Sequence, residues 1–315
     1  MTQFKSMPIL LLLDDRDNQV WPDLLRKSLP TTSIEVYPRV KDPQAIEFII
    51  SMRPTKEQVA AFPNAKVIHS LGAGVNYILE AEVMQPGMQL VRVVDDYLTN
   101  DMFEFVLGVV ISQIKHLPTY RTFQKESQWK QIPYKRFEDT NVAILGLGEI
   151  GSYVALQFAA LGFKVSGWSN SKKDLKGVAS YQGKEGLKEC LQVADFLINI
   201  LPLTPATKQI LNQQTFSYLP KGAFLINVGR GAHNHDTDIM EALDNGQLSG
   251  ALLDVFPTEP LPKQHPFWQH PKIQVTPHIA SLSNPATVVE GIVRNYKRFK
   301  RGEPLLHLVE LDKGY

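Results

Sequence analysis

The sequence predicts an α/β protein in which helices cover both faces of parallel β-sheets. Short and almost continuous apolar runs recur along the chain, as expected of parallel strands that are buried on both faces. Segments with helical spacing alternate with these runs, and that alternation favours an open, doubly wound sheet with right-handed crossovers. Because 315 residues exceed one typical domain, we expect two domains.

The composition restricts the class of protein. The chain is 43% hydrophobic and 21% charged, which is typical of a globular protein with a sizeable core. Its 33 basic and 32 acidic residues give a formal net charge of +1, so we expect neither a nucleic-acid nor a membrane partner. Cys190 is the single cysteine, which fits a reducing compartment. The apolar run at 9–13 is followed at once by Asp14 and Asp15. It therefore predicts a buried strand rather than a signal peptide, and we expect a cytoplasmic protein.

The N-terminal third of the chain contains three predicted strands, at residues 8–13, 46–51 and 67–70. A helix is predicted over residues 101–117, where Pro118 is expected to end it. Apolar residues lie on nearly every side of this helix, so we expect it to be buried all round, between domains or between subunits. This pattern favours a homodimer.

The following part of the chain predicts a second alternating block. Its strands are expected at residues 142–145, 164–168, 196–200, 223–228, 251–255 and 273–276. A final amphipathic helix is predicted over 285–301, because proline lies in its first turn, basic residues crowd its last turn and Gly302 follows.

A glycine motif follows the first strand of this second block. It reads Gly146-Leu147-Gly148-Glu149-Ile150-Gly151 and opens a segment with helical spacing. The first glycine permits a tight turn, the second lets the backbone approach a pyrophosphate, and the third lets helix and strand pack closely. The helix N-terminus around Glu149 and Ile150 presents unpaired N–H groups and a partial positive charge. In this strand–turn–helix context the motif predicts dinucleotide binding; the alternative is a simple tight turn.

The end of the next strand bears on which dinucleotide binds. An NAD enzyme needs Asp or Glu about 20 residues further on, to bond the ribose hydroxyls. Here no carboxylate appears until Asp174. Hydroxyls, an amide and a lysine stand in its place and suit a 2′-phosphate, so NADP is favoured over NAD. The residues expected to bind it are Ser169, Asn170, Ser171 and Lys172. The alternative is a solvated loop whose lysines contact nothing.

Three polar motifs stand at the carboxyl ends of predicted strands, where open α/β sheets bind their ligands. They contain Arg230, Glu259 and His278, each beside glycine or proline. A protonated imidazole can donate a proton to an oxygen that becomes negative during hydride addition. A nearby carboxylate favours the charged imidazole, and a guanidinium can grip a substrate carboxylate and its keto oxygen. We therefore expect these three residues to be catalytic in the reduction of a 2-keto acid.

These motifs, in this order, give a sequence that resembles the D-isomer-specific 2-hydroxyacid dehydrogenases. The resemblance covers nearly the whole chain and rests on the glycine motif, Leu201-Pro202-Leu203-Thr204, Arg230-Gly231, Asp254 with Glu259-Pro260, and Pro277-His278. Within the family the sequence is most similar to the bacterial glyoxylate/hydroxypyruvate reductases of the A type. That likeness rests on Trp168-Ser169, Asp254-Val255-Phe256, Glu259-Pro260-Leu261-Pro262 and the closing Gly314-Tyr315.

The resemblance implies a role for each catalytic residue. Arg230 would bind substrate and stabilise charge, His278 would be the general acid/base, and Glu259 would be its partner. It also implies that Asp254 contacts the nicotinamide amide. The other cofactor-binding residues that it implies are Leu201, Pro202, Thr207, Val228 and Gly229.

The family also binds the substrate carboxylate on backbone amides of a glycine-rich turn in the first domain. That turn is Leu71-Gly72-Ala73-Gly74-Val75-Asn76, where glycines let N–H groups converge on an anion. The expected substrate-binding residues are therefore Ala73, Gly74, Arg230 and His278. The alternative is a tight strand-to-helix turn, and Asn76 stands where the family often has Asp.

The resemblance implies two Rossmann-like domains with the active site in the cleft between them. Residues 1–98 with 284–315 would bind substrate, and residues 99–283 would bind the dinucleotide. The implied activity is NADPH-dependent reduction of glyoxylate to glycolate and of hydroxypyruvate to D-glycerate. The alternatives are a dehydrogenase of the D-lactate or phosphoglycerate type and a non-catalytic, dinucleotide-sensing binding protein. No metal is expected, because His233 and His235 lack a third ligand at metal-binding spacing.

Overall fold

The computed structural model describes residues 7–13 and 19–311 of the chain. Four residues of the sequence patterns above lie outside this described part: Asp14, Asp15, Gly314 and Tyr315. The chain divides into two compact units, one formed by Met1–Leu98 with Ser283–Tyr315 and the other by Thr99–Leu282.

Strands and helices alternate through both units. The strands are β1 (Ile9–Leu12), β2 (Ile34–Val36), β3 (Phe48–Ser51), β4 (Val67–Ser70), β5 (Gln89–Val91), β6 (Asn141–Leu145), β7 (Lys164–Trp168), β8 (Val178–Tyr181), β9 (Phe196–Asn199), β10 (Ala223–Asn227), β11 (Leu248–Leu253) and β12 (Ile273–Val275). The helices are α1 (Val20–Ser28), α2 (Lys56–Ala60), α3 (Asn76–Glu80), α4 (Asp96–Ile114), α5 (Leu117–Lys125), α6 (Glu149–Ala160), α7 (Gly183–Leu191), α8 (Gln213–Ser217), α9 (Asp236–Asp244) and α10 (Pro285–Lys300).

Each unit is built on one sheet whose paired strands all run parallel. The first sheet has the order β2-β1-β3-β4-β5, and the second has the order β12-β11-β10-β9-β6-β7-β8. The predicted parallel α/β architecture is therefore confirmed.

The central strands are mainly apolar because both of their faces are buried. Every residue of β1, β3 and β4 is buried in the first unit, as is every residue of β9 and β10 in the second. All the predicted strands are present, and their ends differ from the prediction by at most three residues. The sequence missed β2, β5 and β8, each of which is the edge strand of its sheet.

Helix α4 differs from its prediction in its bounds. It begins at Asp96 and ends at Ile114, where His116 turns the chain with a left-handed φ of 55°. Pro118 lies in the first turn of α5 and does not end α4. One stripe of α4 joins the second unit's core, and it consists of Met102, Val106, Val110 and Ile114. Burial of its other sides, between domains or between subunits, stays a prediction. Phe103, Phe105, Leu107 and Val109 are partly exposed. A stripe with a spacing of four residues is what one helix face offers a sheet.

The parallel order of the second sheet brings the carboxyl ends of its strands to one edge. The segments that leave this edge after β6, β7, β9, β10, β11 and β12 contain the sequence motifs at 146–151, 169–172, 201–207, 228–230, 254–259 and 278. Within residues 7–13 and 19–311, no helix combines the length and the apolar content that a bilayer crossing needs.

Candidate active site

The glycine turn after β6 is shaped by close backbone contacts. Gly146 has a φ of 103°, and a methyl group on it would approach the backbone of Ile200 and Leu201 at 3.0 Å. A methyl group on Gly151 would lie 1.7 Å from the carbonyl oxygen of Gly146, so helix and turn can pack only if residue 151 is glycine. These two glycines are therefore explained by the fold itself.

Gly148 differs from its two neighbours in the motif. A methyl group there would meet no protein atom within 4 Å, and its φ of −75° is open to any residue. Gly148 is also the N-cap of α6, and no side chain caps this helix. The amides at the start of α6, at Glu149, Ile150 and Gly151, thus form a helix N-terminus that suits an anion.

The loop after β7 is anchored by β8, a strand that the sequence analysis missed. The main-chain N–H of Ser169 donates to Tyr181 at 3.1 Å, and its hydroxyl donates to the carbonyl oxygen of Ser171 at 2.8 Å. The main-chain N–H of Lys172 donates to the side chain of Gln182 at 2.8 Å. Ser169 is buried, whereas Asn170, Ser171 and Lys172 are exposed. The main chain of this loop is therefore held at Ser169 and at Lys172, and its residues 170–172 are exposed.

The segment after β9 is folded on itself by Thr207. This hydroxyl donates to the carbonyl oxygen of Pro202 and accepts the main-chain N–H of Thr204, each at 2.8 Å. Leu201 and Val228 are predicted cofactor contacts, and both are at least nine-tenths buried within the hydrophobic core of the second unit. Thr207 and Leu201 thus contribute to the shape of this segment whatever ligand it binds.

Arg230 leaves β10 between two glycines that have no room for a side chain. A methyl group on Gly231 would lie 1.9 Å from the backbone of Phe256, and one on Gly229 would lie 2.8 Å from the side-chain nitrogen of Asn199. The guanidinium of Arg230 donates to the carbonyl oxygen of Gly229 at 2.6 Å, and the side chain is half-buried. The fit of the two glycines fixes the path of the chain on each side of this cation.

His278 and Glu259 are brought together from the segments after β12 and β11. Nδ1 of His278 lies 2.9 Å from Oε2 of Glu259, and the other carboxylate oxygen accepts the main-chain N–H of Phe256 at 3.1 Å. The Glu259 side chain is 19% exposed and that of His278 is 39% exposed. With Nδ1 directed at the carboxylate, Nε2 is the ring nitrogen left for proton transfer.

Asp254 is buried and has a structural contact set that the sequence did not predict. Its Oδ1 accepts the hydroxyl of Thr276 at 2.6 Å and the main-chain N–H of Ile279 at 2.9 Å, and its Oδ2 accepts that of Ala280 at 3.0 Å. The carbonyl oxygen of Asp254 also accepts the main-chain N–H of His278 at 2.8 Å. Asp254 therefore shapes the loop that carries the histidine, which itself has a left-handed φ of 57°. Contact between Asp254 and a nicotinamide stays a prediction.

The two histidines after Arg230 have separate surroundings. His233 is fully buried, and this burial lowers its pKa to about 4, with a smaller contribution from the Arg230 guanidinium. His235 is less buried and lies 2.9 Å from a carboxylate oxygen of Asp238. In the described part of the chain, no group of three or more His, Cys, Asp or Glu residues has the arrangement of a metal site.

The glycine-rich turn after β4 belongs to the first unit. The main-chain N–H of Gly72 donates to the hydroxyl of Ser70 at 3.1 Å, and its carbonyl oxygen accepts the N–H of Val93 at 3.1 Å. Ala73 and Gly74 are half-buried, and Asn76 begins α3. The two Gly72 bonds hold the turn from within.

Comparison with known proteins places this chain in a family. A model of the D-isomer-specific 2-hydroxyacid dehydrogenase, NAD-binding domain, matches residues 107–280. A D-isomer-specific 2-hydroxyacid dehydrogenase from Xanthobacter autotrophicus Py2, solved with NADPH, has 33% identity and a TM-score of 0.93, over 98% of this chain and 100% of that one. The NADPH-dependent glyoxylate/hydroxypyruvate reductase of Sinorhizobium meliloti, solved with NADP and sulfate, has 33% identity and a TM-score of 0.93, over 99% and 100%.

A third solved structure agrees with these two. A D-isomer-specific 2-hydroxyacid dehydrogenase family protein from Klebsiella pneumoniae 342 has 37% identity and a TM-score of 0.90, over 98% of each chain. Fold and site together define an NAD(P)-dependent dehydrogenase. The chain belongs to the family of D-isomer-specific 2-hydroxyacid dehydrogenases.

Proposed function

We propose that this chain is an NADPH-dependent reductase of small 2-keto acids, which converts glyoxylate to glycolate and hydroxypyruvate to D-glycerate. The observation that carries the proposal is the 2.9 Å pair of His278 and Glu259, on the sheet edge that also holds the glycine turn. A relative with 33% identity is an NADPH-dependent glyoxylate/hydroxypyruvate reductase, which supports the substrate class.

The residues of the second unit fit a dinucleotide. The fold would accept a side chain at position 148, because a methyl group there meets no protein atom within 4 Å. The physical reason for a glycine is then close approach of a ligand to this part of the backbone. The uncapped N-terminus of α6 suits the pyrophosphate, and the polar loop Ser169–Lys172 suits a 2′-phosphate. The other residues proposed to hold the cofactor are Leu201, Pro202, Thr207, Val228, Gly229 and Asp254. The cofactor supplies the hydride.

The chain's own residues bind the keto acid and move the proton. Arg230 can pair with the substrate carboxylate and keto oxygen, because a guanidinium offers two parallel donors. In the first unit, the amides of Ala73 and Gly74 are proposed to bind the carboxylate. As the hydride reaches the keto carbon, Nε2 of His278 donates its proton to the keto oxygen, which becomes the hydroxyl. Glu259, fixed by its bond to the N–H of Phe256, holds the imidazole ring and stabilises its cation.

We further propose a cytoplasmic homodimer in which a second copy covers the part of α4 that this chain leaves partly exposed. Phe105, Leu107 and Val109 lie there, and apolar side chains of this size gain from removal from water. The molar mass measured by light scattering after gel filtration checks this: about 71 kDa, twice the chain mass of 35.5 kDa, is expected. A mass of one chain at all concentrations would contradict it.

Initial rates test the activity directly. Glyoxylate, hydroxypyruvate, pyruvate and 2-ketobutyrate are each assayed with NADPH and with NADH. We expect the highest kcat/KM for glyoxylate or hydroxypyruvate with NADPH. Preference for pyruvate would instead support a dehydrogenase of the D-lactate type. Binding of NADPH with no decrease in nicotinamide absorbance, even in a single turnover with each keto acid, would support a dinucleotide-sensing protein and overturn the proposal.

A further inference from the structure

A buried histidine joins two of the segments that leave the carboxyl edge of the second sheet. His233 ends a short 3₁₀ turn, Gly231–His233, and none of its surface is exposed. Nδ1 of His233 accepts the side-chain N–H of Asn199 at 2.8 Å and the main-chain N–H of Arg230 at 3.2 Å. Its Nε2 lies 3.3 Å from the carbonyl oxygen of Pro202. His233 therefore contacts the segment after β9 and the segment after β10 at once.

The hydrogen bonds determine the state of this ring. An amide nitrogen and a main-chain nitrogen can only donate, so Nδ1 must carry a lone pair. The proton is then on Nε2, which donates to Pro202. Burial favours this neutral form and holds the pKa of His233 at about 4, so the ring stays a donor at one end and an acceptor at the other above that pH.

His233 belongs to a buried amide network that crosses three strand ends. The side-chain N–H groups of Asn199 donate to both His233 and Asn227, the latter at 2.8 Å. Asn227 in turn donates to Asn234 at 2.7 Å and to the carbonyl oxygen of Arg230 at 3.2 Å. Asn234 then reaches the carbonyl oxygen of Val255 at 3.4 Å. A fully bonded network of this kind specifies one arrangement of the segments it joins, since any shift leaves a buried polar group without a partner.

We propose that His233 is a positioning residue for the reductase: its Nδ1 sets the main chain of Arg230 and its Nε2 sets the Leu201-Pro202 segment. The inference rests on the proposed function, in which Arg230 binds the keto acid and Leu201-Pro202 bind NADPH. Nδ1 contacts the residue proposed to bind the keto acid, and Nε2 contacts the segment proposed to bind NADPH. Loss of each contact should therefore affect the binding of a different ligand. The competing possibility is that the network only stabilises the fold.

Two substitutions each remove one of these two hydrogen bonds and keep the other. Asn at position 233 can place its carbonyl oxygen where Nδ1 lies, but it is too short to reach Pro202. Gln can extend its amide towards Pro202, but it has no acceptor atom where Nδ1 lies. His233→Asn therefore keeps the acceptor for Arg230, and His233→Gln keeps the donor to Pro202. His233→Leu removes both.

The measurements are the dissociation constant of NADPH, from nicotinamide fluorescence, and kcat and KM for glyoxylate at saturating NADPH. For His233→Asn we expect NADPH to bind about tenfold more weakly, with kcat and KM for glyoxylate nearly unchanged. For His233→Gln we expect kcat/KM for glyoxylate to fall about tenfold, with NADPH binding nearly unchanged. His233→Leu should show both losses.

His270→Gln is the matched control. The His270 side chain is 8% exposed, its Nδ1 also accepts a main-chain N–H, and it precedes β12 at the opposite edge of the sheet. The His270→Gln substitution should lower the melting temperature and leave kcat, KM and NADPH binding unchanged. If the His233 variants behave in the same way, the inference is wrong. If the parent chain binds NADPH but reduces no keto acid, the proposed function fails. The NADPH dissociation constants of His233→Asn and His233→Gln then still test whether the bond to Pro202 supports NADPH binding.

Discussion

The imidazole of His278 and the carboxylate of Glu259 form a pair in which each partner is also fixed from outside. Nδ1 lies 2.9 Å from Oε2, while Oε1 accepts the main-chain N–H of Phe256 and the main-chain N–H of His278 donates to the carbonyl oxygen of Asp254. Because backbone groups hold both residues, the direction of the imidazole does not depend on surface side chains. In the proposed reaction, this pair would need no rearrangement before proton transfer.

Removal of the carboxylate from this pair should slow turnover. Glu259→Gln takes away the carboxylate that lies 2.9 Å from Nδ1 of His278, so we expect kcat/KM for glyoxylate reduction to fall. His278→Gln removes the proposed general acid and should lower the rate by roughly 10²–10⁴-fold. Glu303→Gln, at a partly exposed carboxylate beside Arg298, is the control. A Glu259→Gln enzyme with the kcat/KM of the parent would show that the pair is not functional.

Replacement of the proposed substrate-binding guanidinium, Arg230, should lower activity even when the charge is kept. Arg230→Lys loses the planar pair of donors, so kcat/KM for a keto acid should fall. The expected loss of transition-state stabilisation is about 2–4 kcal/mol. The control is Arg26→Lys, at an exposed arginine of α1 that pairs with Asp23. Steady-state kinetics with NADPH measure both, and a near-parent Arg230→Lys enzyme would remove Arg230 from the proposed site.

Two glycines of the motif can each be replaced by alanine, with opposite expected effects on stability and on NADPH binding. Gly148→Ala meets no protein atom, so the melting temperature should be unchanged while NADPH binding weakens. Gly151→Ala places its methyl group 1.7 Å from a backbone oxygen, so the second unit should be strongly destabilised. Thermal unfolding and NADPH fluorescence titration separate the two effects. Parent-like NADPH binding by Gly148→Ala would argue against pyrophosphate at this turn.

Cofactor preference should respond to a charge at the end of β7. Ser169→Asp places a carboxylate where a 2′-phosphate would bind, so the ratio of kcat/KM for NADPH to that for NADH should fall. Ser169 also donates to the carbonyl oxygen of Ser171, a bond that Asp cannot make. Ser169→Ala loses the same bond without adding charge and is the control. Equal efficiency of NADPH and NADH in the parent would count against the proposed preference.

Buried neutral histidines should make stability fall in mild acid. Burial lowers the pKa of His69 in the first unit and of His233 in the second to about 4, below the usual value of 6.5. Between pH 6.5 and 4 the unfolded chain therefore binds protons that the folded chain does not. The free energy of unfolding should thus be highest above pH 6.5 and fall towards pH 4, by up to about 1.4 kcal/mol per pH unit for each histidine.

Denaturant unfolding of the parent and of His69→Gln, between pH 7.5 and pH 4, measures this. His69 donates to the carbonyl oxygen of Ser70 and lies 3.3 Å from Asn295, so its replacement costs stability at neutral pH. The gap in unfolding free energy between parent and variant should narrow as the pH falls, because Gln does not titrate. A constant gap across this range would contradict the neutral, buried assignment.

The sequence by itself determined the central strands and the positions of the motifs. A parallel strand with two buried faces must be mainly apolar, so β1, β3 and β10 are visible as short runs rich in Ile, Leu and Phe. The glycine turn and the three strand-end motifs are also local patterns, since each depends on residues close in the chain. These patterns predict that Arg230, Glu259 and His278 lie at one sheet edge.

Tertiary structure alone decided the edges and the supporting contacts. β2 and β5 are edge strands of only three residues, and β8 is an edge strand with no buried residue, so their composition carries little signal. The end of α4 depends on one left-handed residue, His116. Asp254 accepts hydrogen bonds from residues of the His278 loop that lie 22–26 positions further along the chain. His233 contacts Pro202, which lies 31 positions before it. A single sequence gives no measure of such distances, because it does not show which polar side chains the fold will bury together. The physical requirement that every buried donor and acceptor be paired applies only once those side chains are enclosed.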